Sequence, residues 1–235
     1  MNDMKKFALR WACLALVLLL LPVACGEGWD VPVDRFIQRA GIEADAALRQ
    51  RIEAFLREKP VTARSLEAMP EARVRRYAEY LAAGRPISYD EMISAEAVPF
   101  GAVGDVTKIR RLAVLVPAGS ATQSMLADFD AGYIYYDEDR PVTADVCLAS
   151  LSGELTEALK ARLLDILDAA HPADWPETLL GEAPTGEGPA VVALACDEGV
   201  VRYTFDGASA EVPAIMAETA LRLLEAAEAY LSDME

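Results

Sequence analysis

The stretch AVVALACDEGVVRYTF, residues 190–205, decides the fold because it carries every signal of a β-hairpin. Two apolar runs, Ala190–Cys196 and Val200–Phe205, are rich in the β-branched and aromatic residues that favour strands. The Asp-Glu-Gly sequence between them is typical of a turn. The segment therefore predicts two antiparallel strands joined by a short connection.

Two more regions predict strands of the same sheet. Ile109–Pro117 is strongly strand-like, and the polar stretch Gly119–Ser124 follows it. Tyr133–Tyr136 and Val142–Ala149 are separated by the turn sequence Asp-Glu-Asp-Arg-Pro. These two runs predict a second hairpin.

Apolar residues at helical spacing predict two helices in the C-terminal part of the chain. Gly153–Ala170 has an apolar stripe at helical spacing, with Ser152 as its N-cap, and Val212–Leu231 predicts a last helix. The order of elements predicts an α+β fold, an antiparallel sheet with helices packed on one face, over residues 98–235. Apolar residues at helical spacing, interrupted by Pro and Gly, predict a small helical region before it, over residues 31–97.

The N-terminus has the pattern of an export signal. Three bases are followed by an apolar run from Trp11 to Ala24, 14 residues long. A segment that spans the hydrocarbon core needs about 20 residues, whereas the apolar region of a secretory signal has about 7–15. The pattern predicts a signal peptide over residues 1–24 and a tether over residues 25–30.

The end of this segment resembles a known processing signal. Leu21-Pro22-Val23-Ala24-Cys25-Gly26 is similar to the lipobox of bacterial lipoprotein precursors, although Pro22 replaces the usual aliphatic residue. The resemblance implies cleavage before Cys25, diacylglycerol on its sulfur and often an acyl chain such as palmitate on its amine. We therefore expect a lipid-anchored protein on the extracytoplasmic side of the cell membrane. Free secretion and an uncleaved anchor are the alternatives.

Charge excludes one class of partner. Without residues 1–24, the chain holds 19 bases and 37 acids, a net charge of −18. Such a surface repels phosphate backbones, so we expect no nucleic-acid binding. Residues 49–85 are different, with nine bases and five acids. This basic stretch either faces an anionic membrane beside the anchor or consists of ordinary solvent-exposed residues on helices.

Four side chains of the predicted sheet are candidates for special roles. Cys147 and Cys196 fall on predicted strands, and outside the cytoplasm they either form a disulfide or remain buried free thiols. Tyr133 and Tyr135 share one face of their strand because side chains alternate. If the other face belongs to the core, this pair forms a candidate binding surface.

Carboxylates are the only abundant reactive groups. Five of them cluster around the tyrosine-rich strand: Asp128, Asp130, Asp137, Glu138 and Asp139. Paired carboxylates can hydrolyse glycosides or hold Ca²⁺. The simpler interpretation is a solvated turn that keeps the hairpin soluble.

Motifs assign no catalytic, cofactor or metal site. The one histidine, His171, stands just before Pro172 at a predicted helix end, which favours a helix-end role over a Ser-His-Asp site. Zinc sites need several His or Cys ligands, and the chain has no P-loop, HExxH or nucleophile elbow. We expect a non-catalytic binding module, with the membrane and another envelope protein as partners. The alternatives are a carboxylate-based hydrolase of extracellular glycans and an accessory subunit of an envelope complex.

Overall fold

The computed structural model describes residues 30–59, 61–179, 189–206 and 214–234. The predicted signal peptide and Cys25 lie outside these residues. The chain divides into two compact units, Met1–Ala82 and Ala83–Glu235. We call them the helical unit and the sheet unit.

Four helices form the described part of the helical unit. They are α1 (Asp30–Ala40), α2 (Ala46–Glu58), α3 (Ala63–Ala68) and α4 (Glu71–Ala83), the last ending at the unit boundary. The predicted helices of this region are therefore present, and the segment after Pro60 contains two of them.

Side-chain caps and an aromatic core explain the helical unit. The Asp45 side chain accepts a hydrogen bond from the backbone N–H of Leu48, which fixes the start of α2. Between the helices, the rings of Phe36 and Phe55 lie 6.1 Å apart, and those of Phe55 and Tyr77 lie 4.9 Å apart, measured between centroids. Such aromatic pairs bury large apolar areas, so they hold α1, α2 and α4 together.

A seven-stranded sheet organises the sheet unit. Its strands are β1 (Arg111–Ala118), β2 (Ala121–Asp128), β3 (Tyr133–Asp137), β4 (Leu151–Glu154), β5 (Thr178–Leu179), β6 (Ala190–Cys196) and β7 (Gly199–Phe205). The spatial order is β4-β3-β2-β1-β6-β7-β5. From β4 to β7 in this order, adjacent strands are antiparallel, and the short β5 runs parallel to β7 at the end.

The hairpin predicted for residues 190–205 is confirmed. Ala190 pairs with Phe205, and the register continues to Cys196 and Gly199. Gly199 has φ 138°, a conformation that side chains rarely adopt, and an added Cβ would lie 3.0 Å from a Val98 methyl group. Glycine is therefore required at this turn.

The strand β2 was not predicted. The sequence shows Gly119–Ser124 only as a polar stretch, but β2 starts within it and pairs with β1 over eight residues. Its polar residue Ser124 is fully buried, donates to the Arg140 carbonyl and accepts from the backbone N–H of Val142. Hydrogen bonds to residues distant in sequence thus satisfy the buried hydroxyl, whose polar character hid this strand from sequence patterns.

The predicted strand Val142–Ala149 is wrong. Residues Val146–Leu148 form a 3₁₀ turn, and β3 pairs instead with β4. The backbone N–H of Val146 donates to the Ile87 carbonyl, which draws this segment away from the sheet ladder. The helix predicted from Gly153 begins later, at Glu157, because the preceding residues belong to β4 and the Thr156 side chain caps it.

Helices and a chain segment cover the two faces of the sheet. The remaining helices are α5 (Glu91–Ser94), α6 (Phe100–Val103), α7 (Glu157–Ala169) and α8 (Ala214–Ser232). The long helices α7 and α8 share one core cluster with Leu112, Met125 and Val192 of the sheet. This arrangement confirms the α+β class.

Residues 85–97, which we call the crossing segment, lie on the other face. Its Tyr89 and Met92 are completely buried, and Ala97 forms a bridge to Val200 at the edge of the sheet. The crossing segment therefore belongs to the sheet unit, whose first residue is Ala83. The boundary at 97/98 that the sequence suggested stays a prediction.

Candidate functional site

A buried carboxylate lies beneath the crossing segment. Asp128 is 3% exposed, and its Oδ1 accepts hydrogen bonds from the backbone N–H groups of Asp130 and Ala131 at 3.0 and 2.8 Å. Its Oδ2 accepts from the Tyr89 hydroxyl at 2.7 Å, and the Arg111 guanidinium lies 3.7 Å away. Each oxygen therefore has protein partners, as a buried charge requires.

Arginine–aromatic contacts extend this network along the same face. The Arg111 guanidinium lies 5.4 Å from the centre of the Tyr89 ring and 3.2 Å from the Glu91 carboxylate. Arg85 similarly lies 5.1 Å from the centre of the Tyr133 ring. These contacts attach the crossing segment to the sheet.

The crossing segment therefore covers part of the candidate binding surface formed by the two tyrosines. Tyr133 and Tyr135 share a face as predicted, with ring centroids 5.4 Å apart, and Ile134 and Tyr136 belong to the core cluster. However, Tyr135 is 1% exposed. Its ring cannot form part of an open binding surface, and only Tyr133 remains half-exposed.

A second buried carboxylate closes the loop after β3. Asp137 is 1% exposed, and its Oδ1 accepts from the backbone N–H groups of Asp139 and Arg140 at 2.9 and 3.0 Å. Its Oδ2 accepts from the Ser150 N–H at 3.1 Å and lies 3.3 Å from Nε of Arg140. The carboxylate thus holds together both ends of the segment between β3 and β4.

The other clustered acids lie on the surface. Glu138 and Asp139 are exposed, and Asp130 forms an ion pair with Arg110, which also pairs with Asp197. Among the residues that the structure describes, no group of three or more His, Cys, Asp or Glu side chains is placed to hold a metal ion. The acid cluster of the sequence is thus split between two buried structural carboxylates and a solvated rim.

The two cysteines are free thiols in different surroundings. Cys147 is buried in the 3₁₀ turn and not on a strand, contrary to the prediction, whereas Cys196 ends β6 and its thiol donates to the Gly199 carbonyl at 3.2 Å. Burial raises the pKa of the Cys196 thiol. Both observations describe unreactive thiols, and no disulfide joins them.

His171 lies where the sequence placed it, just after α7. Its backbone has φ 50°, a left-handed conformation, and its N–H donates to the Asp168 carbonyl at 3.1 Å. The residue therefore ends α7 and begins the turn Pro172–Asp174.

One groove between α7 and α8 was not predicted. It has a volume of about 270 Å³ and is lined by Arg162, Asp165, Ile166, Arg222 and Glu225. Ligand pockets usually exceed about 300 Å³ and are mostly apolar. The small size and four charged side chains give this groove little capacity to enclose a ligand.

Arginines of the helical unit fall into two groups. Some have carboxylate or carbonyl partners: Arg35 pairs with Glu67, Arg49 with Asp34, and Arg39 donates to the carbonyls of Leu66 and Met69. Three others have no hydrogen bond or ion pair from their side chains to any residue in the described part of the chain: Arg64, Arg73 and Arg75. This division was invisible in the sequence, since it depends on which helices meet.

Comparisons with known proteins add no relative. No protein-family model, curated protein or solved structure matches this chain. In the ranges that the structure describes, no helix combines the length and the apolar character needed to cross a bilayer.

Proposed function

We propose that this protein is a lipid-anchored, extracytoplasmic binding or interaction module of the cell envelope, attached to the membrane through Cys25. One observation carries the proposal: a positively charged start is followed by an apolar run of 14 residues, which ends in Leu-Pro-Val-Ala directly before Cys25. The run has the length of a cleaved signal rather than a membrane span.

The chemistry of the sheet unit supports a non-catalytic role. The two buried carboxylates, Asp128 and Asp137, each hold backbone N–H groups and an arginine or a tyrosine. A glycosidase needs two carboxyl groups that face a substrate. Since these oxygen atoms are already occupied, the known arrangement of the acids favours a structural role for them.

Metabolic labelling tests the anchor. Cells that express the chain are grown with radiolabelled palmitate, with and without globomycin, which blocks cleavage of lipoprotein signals. We expect label on the wild type, no label on Cys25→Ser and accumulation of a larger precursor with globomycin. Cys147→Ser and Cys196→Ser are matched controls that keep the label. Label that survives Cys25→Ser would refute the anchor.

Chemical cross-linking in intact envelopes tests the interaction role. A module that binds a protein partner should give a discrete cross-linked product. Substitutions on the surface of the sheet unit should remove this product. A control strain that overproduces another lipoprotein instead should not give it. A chain that cross-links to nothing but instead degrades envelope glycans would favour the hydrolase alternative.

A further inference from the structure

Strand β4 (Leu151–Glu154) is an edge of the sheet, and in the described part of the chain only β3 pairs with it. The backbone N–H of Leu155 donates to the Gly132 carbonyl at 2.9 Å, which fixes the pattern of this ladder. In an antiparallel ladder, residues that bond to the neighbouring strand alternate with residues whose N–H and C=O point away from it. The backbone groups of Ser152 and Glu154 therefore point outward from β3.

Three of these four outward backbone groups have no hydrogen-bond partner among the residues that the structure describes. They are the N–H and C=O of Ser152 and the N–H of Glu154. The fourth group, the Glu154 carbonyl, accepts a hydrogen bond from the Tyr230 hydroxyl at 2.9 Å. Ser152 is half-buried and Glu154 is exposed. Because its outward groups are unpaired, this edge can form hydrogen bonds with another extended chain.

Apolar side chains border this edge on both faces of the sheet. Gly153 has no side chain, and a Cβ there would lie 3.1 Å from a Leu231 methyl group and 3.2 Å from the Met234 methyl group. Met234 is 54% exposed, and its flexible thioether adapts to different contacts. On the opposite face, the half-exposed Tyr133 pairs with Glu154 in the register. An added strand would therefore contact Met234 on one face and Tyr133 on the other.

The surroundings of the edge are negatively charged. Glu154, on β4 itself, and Asp233, directly before Met234, are both exposed. The last turn of α8 contains no basic residue, so the negative end of its helix dipole is not compensated. Arg85, over the Tyr133 ring, offsets only part of this charge. A basic segment therefore fits this edge better than an acidic one.

From these observations we infer that β4 binds an extended segment of a partner protein, containing lysine or arginine, as an additional strand. The inference rests on the proposed interaction role and names the surface that performs it. Backbone hydrogen bonds to Ser152 and Glu154 supply affinity, and contacts with Met234 and Tyr133 select the side chains of the segment. Residues 83–235 hold nine bases and 27 acids, a net charge of −18, which favours a basic partner and repels a second copy of the chain.

Amide exchange tests the inference in the full processed protein, held in micelles of a zwitterionic detergent. The probe is a short acetylated peptide in which valine and lysine alternate. The same peptide N-methylated at every amide keeps its charge but has no backbone donors, and a valine–glutamate peptide reverses the charge. NMR follows the exchange of single amide protons with solvent, and the Gly153 amide, which points toward β3, is the internal reference.

We expect the valine–lysine peptide to slow exchange of the Ser152 and Glu154 amides and to leave that of Gly153 unchanged. The N-methylated and valine–glutamate peptides should not slow it. No slowing by the valine–lysine peptide, or equal slowing by the N-methylated peptide, would overturn the inference.

Ser152→Pro should weaken binding of the valine–lysine peptide about tenfold, because it removes one outward N–H donor at an edge position that tolerates proline. Ser152→Thr keeps the donor and should bind as the wild type does. The amide spectrum away from β4 shows whether the proline variant is folded. If it is not, the comparison of the two lysine peptides on the wild type decides. A folded Ser152→Pro variant that binds normally would contradict the inference.

Glu154→Gln should weaken binding of the same peptide about two- to fivefold, the factor typical of one exposed ion pair. Glu218→Gln is the matched control, because Glu218 is also exposed but lies near the opposite end of α8. Equal effects of the two substitutions would show that the peptide responds only to the net charge of the protein, and would overturn the inference.

Cross-linking in intact envelopes separates this inference from the interaction role. We expect a partner product that Ser152→Pro removes and Ser152→Thr retains. A product that persists in Ser152→Pro contradicts only the use of β4. The absence of any product in the wild type contradicts the interaction role, and with it the inference. A product made of two copies of this chain that Ser152→Pro removes would overturn the inference in favour of self-association.

Discussion

The Tyr89 hydroxyl donates a hydrogen bond to Oδ2 of Asp128 at 2.7 Å, and both side chains are almost completely buried. The bond joins the crossing segment to the second strand of the sheet across 39 residues of sequence. It is one of several contacts that join residues 85–97 to the sheet unit.

Tyr89→Phe should destabilise the protein by about 2 kcal/mol. The substitution keeps the ring under Arg111 but leaves a buried carboxylate oxygen without its donor, and hydrogen bonds to charged groups contribute about 1.5–3 kcal/mol. Urea unfolding followed by circular dichroism measures the change. Tyr230→Phe is the control, because its hydroxyl donates to the Glu154 carbonyl at an exposed site. Equal stability of both variants would contradict the account of this contact.

Asp137→Asn should cost roughly 2–4 kcal/mol of unfolding free energy. An amide replaces one acceptor oxygen by an N–H₂ donor, which would face the N–H donors of Asp139 and Arg140 or of Ser150. Asp139→Asn, at an exposed position, should change stability by less than about 0.5 kcal/mol. An Asp137→Asn variant as stable as the wild type but devoid of a glycan-hydrolysing activity would indicate a catalytic acid instead.

The sequence predicted those parts of the fold that local patterns encode. The β6–β7 hairpin has apolar runs on both sides of a Gly-containing turn, and α7 has a clean apolar stripe, so both were found. Strand β2 was missed because its buried polar residue, Ser124, is satisfied by partners 16 and 18 residues away. Val142–Ala149 was mistaken for a strand because β-branched residues there pack in a loop that pairs with the crossing segment.

For the candidate site residues too, local patterns predicted some features, and contacts between distant residues decided the others. The alternation rule correctly placed Tyr133 and Tyr135 on one face, but it could not show that Tyr135 is covered. Likewise, the acid cluster was visible as composition, whereas the burial of Asp128 and Asp137 depends on backbone N–H groups that only the folded turns bring together. Which arginines of the helical unit have side-chain partners also depends on how the helices pack, so the sequence could not show it.

Alkaline pH should destabilise the fold through Tyr136. Burial, with the negative charge of Glu228 as a second cause, raises the pKa of Tyr136 to about 12. The folded state therefore holds this proton more tightly than the unfolded state, whose pKa is about 10, and stability falls as pH rises from 10 to 12. Because one pKa unit corresponds to about 1.4 kcal/mol, the complete loss should be no more than about 2–3 kcal/mol, and only part of it is reached by pH 11.5.

Tyr136→Phe should remove this part of the pH dependence. The measurement is the urea midpoint at intervals from pH 9 to 11.5, compared between the wild type and the variant. A wild-type curve that falls no more steeply than that of Tyr136→Phe would show that the tyrosine ionises equally well in both states.

Thiol alkylation should distinguish the two cysteines. In the native protein, iodoacetamide should modify Cys196 slowly, because its pKa is raised, and should leave the buried Cys147 unmodified. Both should react in urea without a reducing agent. Two thiols that react only after reduction would reveal a disulfide, contrary to the structure.

The mass of the N-terminal peptide tests the central claim most directly. The protein is purified from the membrane fraction, in detergent, and from the cytosolic fraction of its parent organism. Each sample is digested, and its N-terminal peptide is analysed by mass spectrometry. The account predicts a peptide that begins at Cys25 and carries diacylglycerol on the cysteine sulfur. A peptide that begins at Met1 on a protein recovered from the cytosol would contradict it.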